Sequence, residues 1–169
     1  ILTERPAVVF APHVETSCGM VLPDAYLKAV SAAVHEVGGL FVLDCIASGA
    51  LWVDMRACGV DVLVSAPQKG WSGSPCCAFV MLSERARDRI GSHVYHTTMP
   101  TDALTITRDA MIETRNRGFE ALRRAQIELG SQVREVMLKH GYPSVAAEGF
   151  QASGVVVSYT HDADMQSSK

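Results

Sequence analysis

Three short apolar runs constrain this chain more than anything else in it: AVVFA at 7–11, LFVLD at 40–44 and DVLVSA at 61–66. Their interiors do not alternate apolar with polar residues, so each offers apolar side chains to both sides of a strand. Such a strand needs cover on both faces, which is the setting of a largely parallel sheet in an α/β layered fold. The segments between the runs agree. Pro23 and Asp24 open a helix, Leu27, Val30, Val34 and Val37 recur on one face of it, and Gly38 and Gly39 stop it. CCAFVML (76–82) reads as a fourth strand and SERARDRI (83–90) as a short helix. Residues 101–117 and 119–139 read as two further helices with Gly118 at their junction. The second carries an imperfect apolar stripe of Phe119, Leu122, Leu129, Val133 and Val136. GVVVSY (154–159) reads as the beginning of a new β element.

Composition removes several classes of function. Of 169 residues, 48% are hydrophobic and 20% charged, a balance that folds rather than stays disordered. A net charge of −3 with scattered Lys and Arg excludes a basic nucleic-acid surface. No apolar run approaches a membrane span, and no signal peptide is visible. The five cysteines are odd in number and lack C-x-x-C spacing, which argues against a zinc site or a disulfide framework. They read as thiols in a reducing cytoplasm. The chain starts at Ile1, near a strand-like run, and ends just after another, so we read it as an internal segment of a longer protein.

The chemistry gathers at strand ends. Asp44 closes one apolar run, and Gln68 and Lys69 follow another within VSAPQKGWSGSP (64–75). The loop PHVETSCG (12–19), with Thr16 and Ser17, follows a third. In an α/β sheet, ligands bind outside the carboxyl ends of the strands, so parallel strands bring these residues to one crevice. A lone lysine is ordinarily surface charge, and an aspartate there could simply cap a turn. A Rossmann-type ribose ligand would need an upstream G-x-G-x-x-G, which is absent. An amine and a carboxylate at one sheet edge do suit pyridoxal 5′-phosphate (PLP). Its aldehyde takes a lysine as a Schiff base, and its ring nitrogen takes a carboxylate through a charge-assisted hydrogen bond.

The series HVETSCGMVLP, LFVLDCIASGA, GVDVLVSAPQKG, FVMLSERA and YHTTMP resembles the class V aminotransferases, within the alanine–glyoxylate and serine–pyruvate group. The resemblance implies a fold-type I, three-layer, mainly parallel sheet. Residues 1–118 would be the later part of the PLP-binding large domain, and 119–169 the start of a smaller α/β domain. It implies that Lys69 forms the Schiff base and shuttles the substrate proton, and that Asp44 pairs with the pyridine nitrogen. Ser17 would contact the cofactor near its ring, Ile46 would pack on a ring face, and Gln68 would lie near the phosphate. Tyr95 and Thr98 would reach the phosphate of a neighbouring subunit's cofactor, which implies a homodimer with shared sites. The substrates would be a small amino acid such as alanine or serine and a 2-oxo acid such as glyoxylate or pyruvate. The phosphate loop and the ring-stacking aromatic would come upstream, and the arginine for the substrate carboxylate downstream.

Two departures from the family's usual pattern bear on loop geometry: Pro67 directly precedes Gln68, and SPCC stands where a Pro-Pro-Gly turn is common. Trp71 reads as interface packing rather than the ring stacker, His13 as a satisfied structural histidine, and Glu15 as an ordering residue in its loop. Cys76 and Cys77 read as core packing. Two rivals remain. One is a lyase or desulfurase of the same PLP fold. The other is a non-enzymatic α/β module whose strand ends hold a phosphorylated ligand.

Overall fold

The computed structural model describes residues 1–90 and 100–166. In chain order the elements are β1 (Val8–Pro12), β2 (Val14–Glu15), β3 (Met20–Val21), α1 (Asp24–Glu36), β4 (Leu40–Asp44), α2 (Met55–Cys58), β5 (Val62–Ser65), β6 (Phe79–Leu82), α3 (Glu84–Arg87), α4 (Thr101–Arg117), α5 (Phe119–Lys139) and α6 (Ala163–Gln166). The sheet runs β1-β4-β5-β6. β1, β4 and β5 are parallel neighbours, and β6 closes the edge antiparallel. The three apolar runs are thus the three parallel strands. The loop after β1 folds into a small antiparallel hairpin, β2–β3, which its polar sequence did not reveal.

Period-two alternation decides which face is core. Phe41, Leu43 and Leu63 point to one face and pack with Leu27, Val34, Cys58 and Val60 from α1 and the α2 segment. Burying each large side chain contributes roughly 1.5–3 kcal/mol, so this layer is what fixes the sheet. The other face carries rows set by register, such as Pro12–Asp44–Val64–Val80 and Phe10–Val42–Val62–Leu82. Its edges lie open, with Val8 53%, Phe10 61% and Val80 56% exposed. Asp44 therefore stands on the uncovered face, at its carboxyl-end row.

α1 begins at Asp24 with Pro23 as its N-cap, at the place the sequence indicates, and its Leu27 and Val34 are fully buried. α4 and α5 match the expected ranges because Gly118, at φ 88, turns the chain between them in a conformation that favours glycine.

Two expectations need correction. GVVVSY forms no regular strand. It makes only an isolated bridge, Ser144 to Ser158, supported by the Val145 N–H to Val157 carbonyl bond. No third strand among the described residues extends it into a ladder. Beyond Phe119, whose ring meets Trp52 and Trp71, the apolar stripe of α5 is also not its packed face, since Leu129, Val133 and Val136 are 41–61% exposed. The helix packs instead through Gln126, Gly130 and Arg134, one face at four-residue spacing. Gly130 lies so close to the Ser153 carbonyl that a Cβ there would overlap it. Arg134 donates to the Ala152 and Val155 carbonyls. Close approach and backbone carbonyls, rather than apolar burial, decide that contact.

Candidate functional site

The carboxyl ends of β1, β4 and β5 emerge along one edge of the sheet, because the three strands are parallel and adjacent. β4 ends at Asp44 itself, in register with Pro12 and Val64. Asp44 Oδ1 accepts the Ile46 N–H at 2.9 Å, which turns the chain away from the strand. Among the described residues, Oδ2 has no hydrogen-bond partner. The same edge bears the β2–β3 hairpin, where the Ser17 N–H donates to Glu15 Oε1 at 2.9 Å. That bond holds the Glu15 carboxyl below its ordinary range. It matches the ordering role expected for Glu15 and leaves Thr16 and Ser17 exposed on the tip.

β5 ends at Ser65, and Ala66 and Pro67 are buried before Gln68 and Lys69 come out exposed. The turn is closed from both sides. The Ser72 N–H donates to the Lys69 carbonyl at 3.0 Å, and the Gly73 N–H to the Pro67 carbonyl at 2.8 Å. Ser72 sits at φ 56, a left-handed conformation uncommon for a residue with a side chain. Pro67 thus anchors the lysine turn rather than disrupting it. Lys69 differs from the chain's other described lysines in its setting. Lys28 lies on α1, and Lys139 on α5 is paired with Glu135 at 2.8 Å.

Trp71 packs within the chain. Its ring centroid lies 4.7 Å from Trp52, 6.2 Å from Phe119 and 6.4 Å from Phe79. These tilted and edge-on contacts tie the lysine turn to the loop after β4 and to the start of α5. Cys76 and Cys77 are half-buried at the approach to β6 with their sulfurs 3.7 Å apart. Burial raises the Cys77 thiol above its ordinary value, which suits packing rather than nucleophilic work. Tyr95 and Thr98 lie outside the described residues.

His13 fastens two of the strand-end loops. Its N–H donates to the Asp44 carbonyl at 2.8 Å, its carbonyl accepts the Leu22 N–H at 2.9 Å, and Nδ1 lies 2.7 Å from Ser48 Oγ. It is 4% exposed, and this burial lowers its pKa from 6.5 to about 4, against the opposing pull of the Asp24 carboxylate and with a smaller push from Arg123. The folded protein therefore keeps His13 neutral where the unfolded chain protonates it. Protons favour the unfolded state below pH 6.5, and the loss is complete near pH 4. The cost at that limit is about 3 kcal/mol. Urea unfolding followed from neutral to acid pH is expected to show this loss, and His13→Asn to flatten that part of the curve. A variant with an unchanged slope would assign the acid sensitivity elsewhere.

Sequence reasoning did not single out Ser48 or Gln126, and the region around them completes the site. Gln126 Oε1 accepts the Ala50 N–H at 2.7 Å. Gly49 lies between them at φ 62. Neither position carries a motif signal: a serine in a loop and a glutamine on a charged helix face look ordinary.

No family model matches the chain. A 2-aminoethylphosphonate–pyruvate transaminase of Paraburkholderia phymatum is 37% identical over 75 residues, 44% of this chain and 20% of that protein. The solved alanine–glyoxylate aminotransferase of Nostoc sp. superposes with a TM-score of 0.86 at 23% identity, over 95% of this chain and 48% of that one. The cysteine desulfurase of Thermococcus onnurineus superposes at 0.72 with 18% identity, over 92% and 44%. The chain has the fold of these proteins and spans about half the length of the solved structures it matches.

Proposed function

We propose that this chain, which shares its fold with the PLP-dependent aminotransferases, is the lysine-bearing part of such an enzyme. The observation that carries this reading is the parallel pairing of β4 with β5. It brings Asp44, on the uncovered face, and the Lys69 turn to the same sheet edge. The donor set fits PLP: a carboxylate oxygen without a hydrogen-bond partner among the described residues at one strand end, an exposed amine after the next strand, and the exposed Ser17 and Gln68 in loops at the same sheet edge. PLP, when bound, supplies an electron-withdrawing ring that stabilises negative charge on the substrate carbon. Asp44 would keep the proton on the ring nitrogen that makes the ring an acceptor. Lys69 would hold the cofactor through its Nζ and would serve as the base that moves the substrate proton. Ile46 and Ser17 would hold the ring, and Gln68 the phosphate.

We take the acceptor to be a small 2-oxo acid such as pyruvate or glyoxylate and the donor a small amino acid such as alanine or serine. The sequence relative named for 2-aminoethylphosphonate and pyruvate favours a second reading of the donor, an aminoalkylphosphonate. The likeness to a cysteine desulfurase keeps the lyase or desulfurase rival within the same fold. We divide the chain after Gly118, with residues 1–118 in the large domain and 119–169 beginning the small one. We place the protein in the cytoplasm as a homodimer, with Tyr95 and Thr98 reaching the partner's cofactor. No helix of the described residues is long and apolar enough to cross a membrane.

The test is covalent trapping. The full-length protein is mixed with PLP, reduced with borohydride and digested. A visible absorbance band before reduction and a pyridoxyl label on the Lys69 peptide are expected. A colourless mixture, or a label confined to Lys28 or Lys139, would refute the reading. A panel of alanine, serine and 2-aminoethylphosphonate with pyruvate or glyoxylate then separates the donors.

A further inference from the structure

The loop after β4 lies directly against the lysine turn, and one side chain of α5 holds that loop. Gln126 accepts the Ala50 N–H at 2.7 Å through Oε1 and directs Nε2 at the Ser48 carbonyl, 3.5 Å away, and at Ser153 Oγ, 3.4 Å away. It thus grips both ends of the Ser48–Ala50 turn. Gly49, between them, is packed against the Gln126 amide so closely that a Cβ would overlap it. The far side of the same turn touches the lysine loop directly. A Cβ on Gly70 would overlap the Gly49 carbonyl, so the two backbones lie against each other with no side chain between. Gly70 is the residue after Lys69. From the other flank, His13 holds Ser48 at 2.7 Å. Backbone-to-backbone contact transmits displacement without rotamer slack, because neither glycine has a side chain that can reorient.

We propose that Gln126 is a positioning residue for Lys69: by clamping the Ser48–Ala50 turn against Gly70, it makes the seat of the amine depend on where α5 lies. This rests on the transaminase reading for its meaning, but its geometry does not involve the cofactor. α5 begins the part of the chain that we assign to the small domain, so the contact couples that domain's position to the reactive nitrogen. The coupling passes through one amide side chain, an energy scale at which a single substitution is measurable.

The experiment uses the full-length protein with Gln126→Leu, which keeps bulk but loses all three hydrogen bonds, and Gln126→Glu, which keeps the acceptor for Ala50. Ser131→Ala, on the exposed side of α5, is the control. Amide hydrogen exchange is read on cofactor-free protein. Gln126→Leu is expected to speed exchange by about five- to tenfold in peptides covering both 45–52 and 66–74, leaving the β1 and β4 peptides unchanged. Gln126→Glu is expected to keep the 66–74 peptide at the wild-type rate. Faster exchange confined to 45–52, or no change in either peptide, would overturn the proposal. With PLP added, the pH midpoint of the visible band is expected to move in Gln126→Leu and not in Ser131→Ala. A protein that develops no band refutes the transaminase reading, while the exchange arm still decides the role of Gln126.

Discussion

Replacing Lys69 by alanine is expected to lower the transamination rate by at least about four orders of magnitude, the scale on which removing a covalent nucleophile and base acts. Two losses combine. On the proposed reading, the variant lacks both the amine that would hold the cofactor's aldehyde carbon and the base that would move the substrate proton. Stability is expected to change little, because Lys69 is exposed and no ion pair or hydrogen bond ties its side chain to the described residues. The urea midpoint of Lys69→Ala should therefore match wild type while turnover collapses. Lys139→Ala is the matched control. That lysine pairs with Glu135 on the exposed side of α5, and an exposed i,i+4 pair contributes only about 0.3–0.5 kcal/mol. If Lys69→Ala retained a tenth of the wild-type rate, the lysine would be surface charge, and a phospho-ligand-binding module would become the better reading.

The outcome at Lys69 depends on how well the strand ends were readable. β4 was legible to the residue, because LFVLD is bounded by Gly39 and by Asp44, and β5 nearly so. Parallel order followed from apolarity on both faces, and with it the common edge for Asp44 and Lys69. Helices α4 and α5 were legible because Gly118 leaves one place for the chain to turn. Legibility failed where the deciding partner is remote. The α5 apolar stripe looked like a buried face, but Gly130 and Arg134 meet the backbone of 152–155, and pattern alone does not weigh a glycine contact against five apolar side chains. GVVVSY has strand composition but lacks neighbours to form a ladder with. Ser48 and Gln126 are joined across 78 positions, and nothing local to either marks the contact.

Asp61 is the strongest case of a residue read too lightly, since in sequence it is only the polar first letter of DVLVSA. The fold places it at the opposite end of the sheet from Asp44, 2% exposed. There Oδ2 accepts the Phe41 N–H and lies 2.8 Å from His35 Nε2, while Oδ1 accepts Ser83 Oγ at 3.2 Å with Arg85 Nε 3.8 Å away. Its own N–H and carbonyl bond Phe41 and Ser83. One carboxylate thereby ties the starts of β4 and β5, the end of α1 and the cap of α3. Removing one partner of a buried charged network costs about 3–5 kcal/mol, because the groups left behind stay desolvated without partners. His35 and Arg85 are about a third exposed and regain water, so Asp61→Ala is expected to lose about 3 kcal/mol, a large fraction of the roughly 5–15 kcal/mol that a domain has in total. Asp61→Asn keeps the shape and one carbonyl oxygen for Phe41, so it is expected to lose about 2 kcal/mol. Urea unfolding of the full-length variants at neutral pH measures both. The order alanine worse than asparagine is the decisive result: equal losses would mean that the charge, which both variants remove, holds the sheet at that end, and that the shape and the Phe41 acceptor kept by asparagine add nothing. Neither substitution touches the Lys69 edge, so any Asp61→Asn protein that remains folded should still take a pyridoxyl label on Lys69.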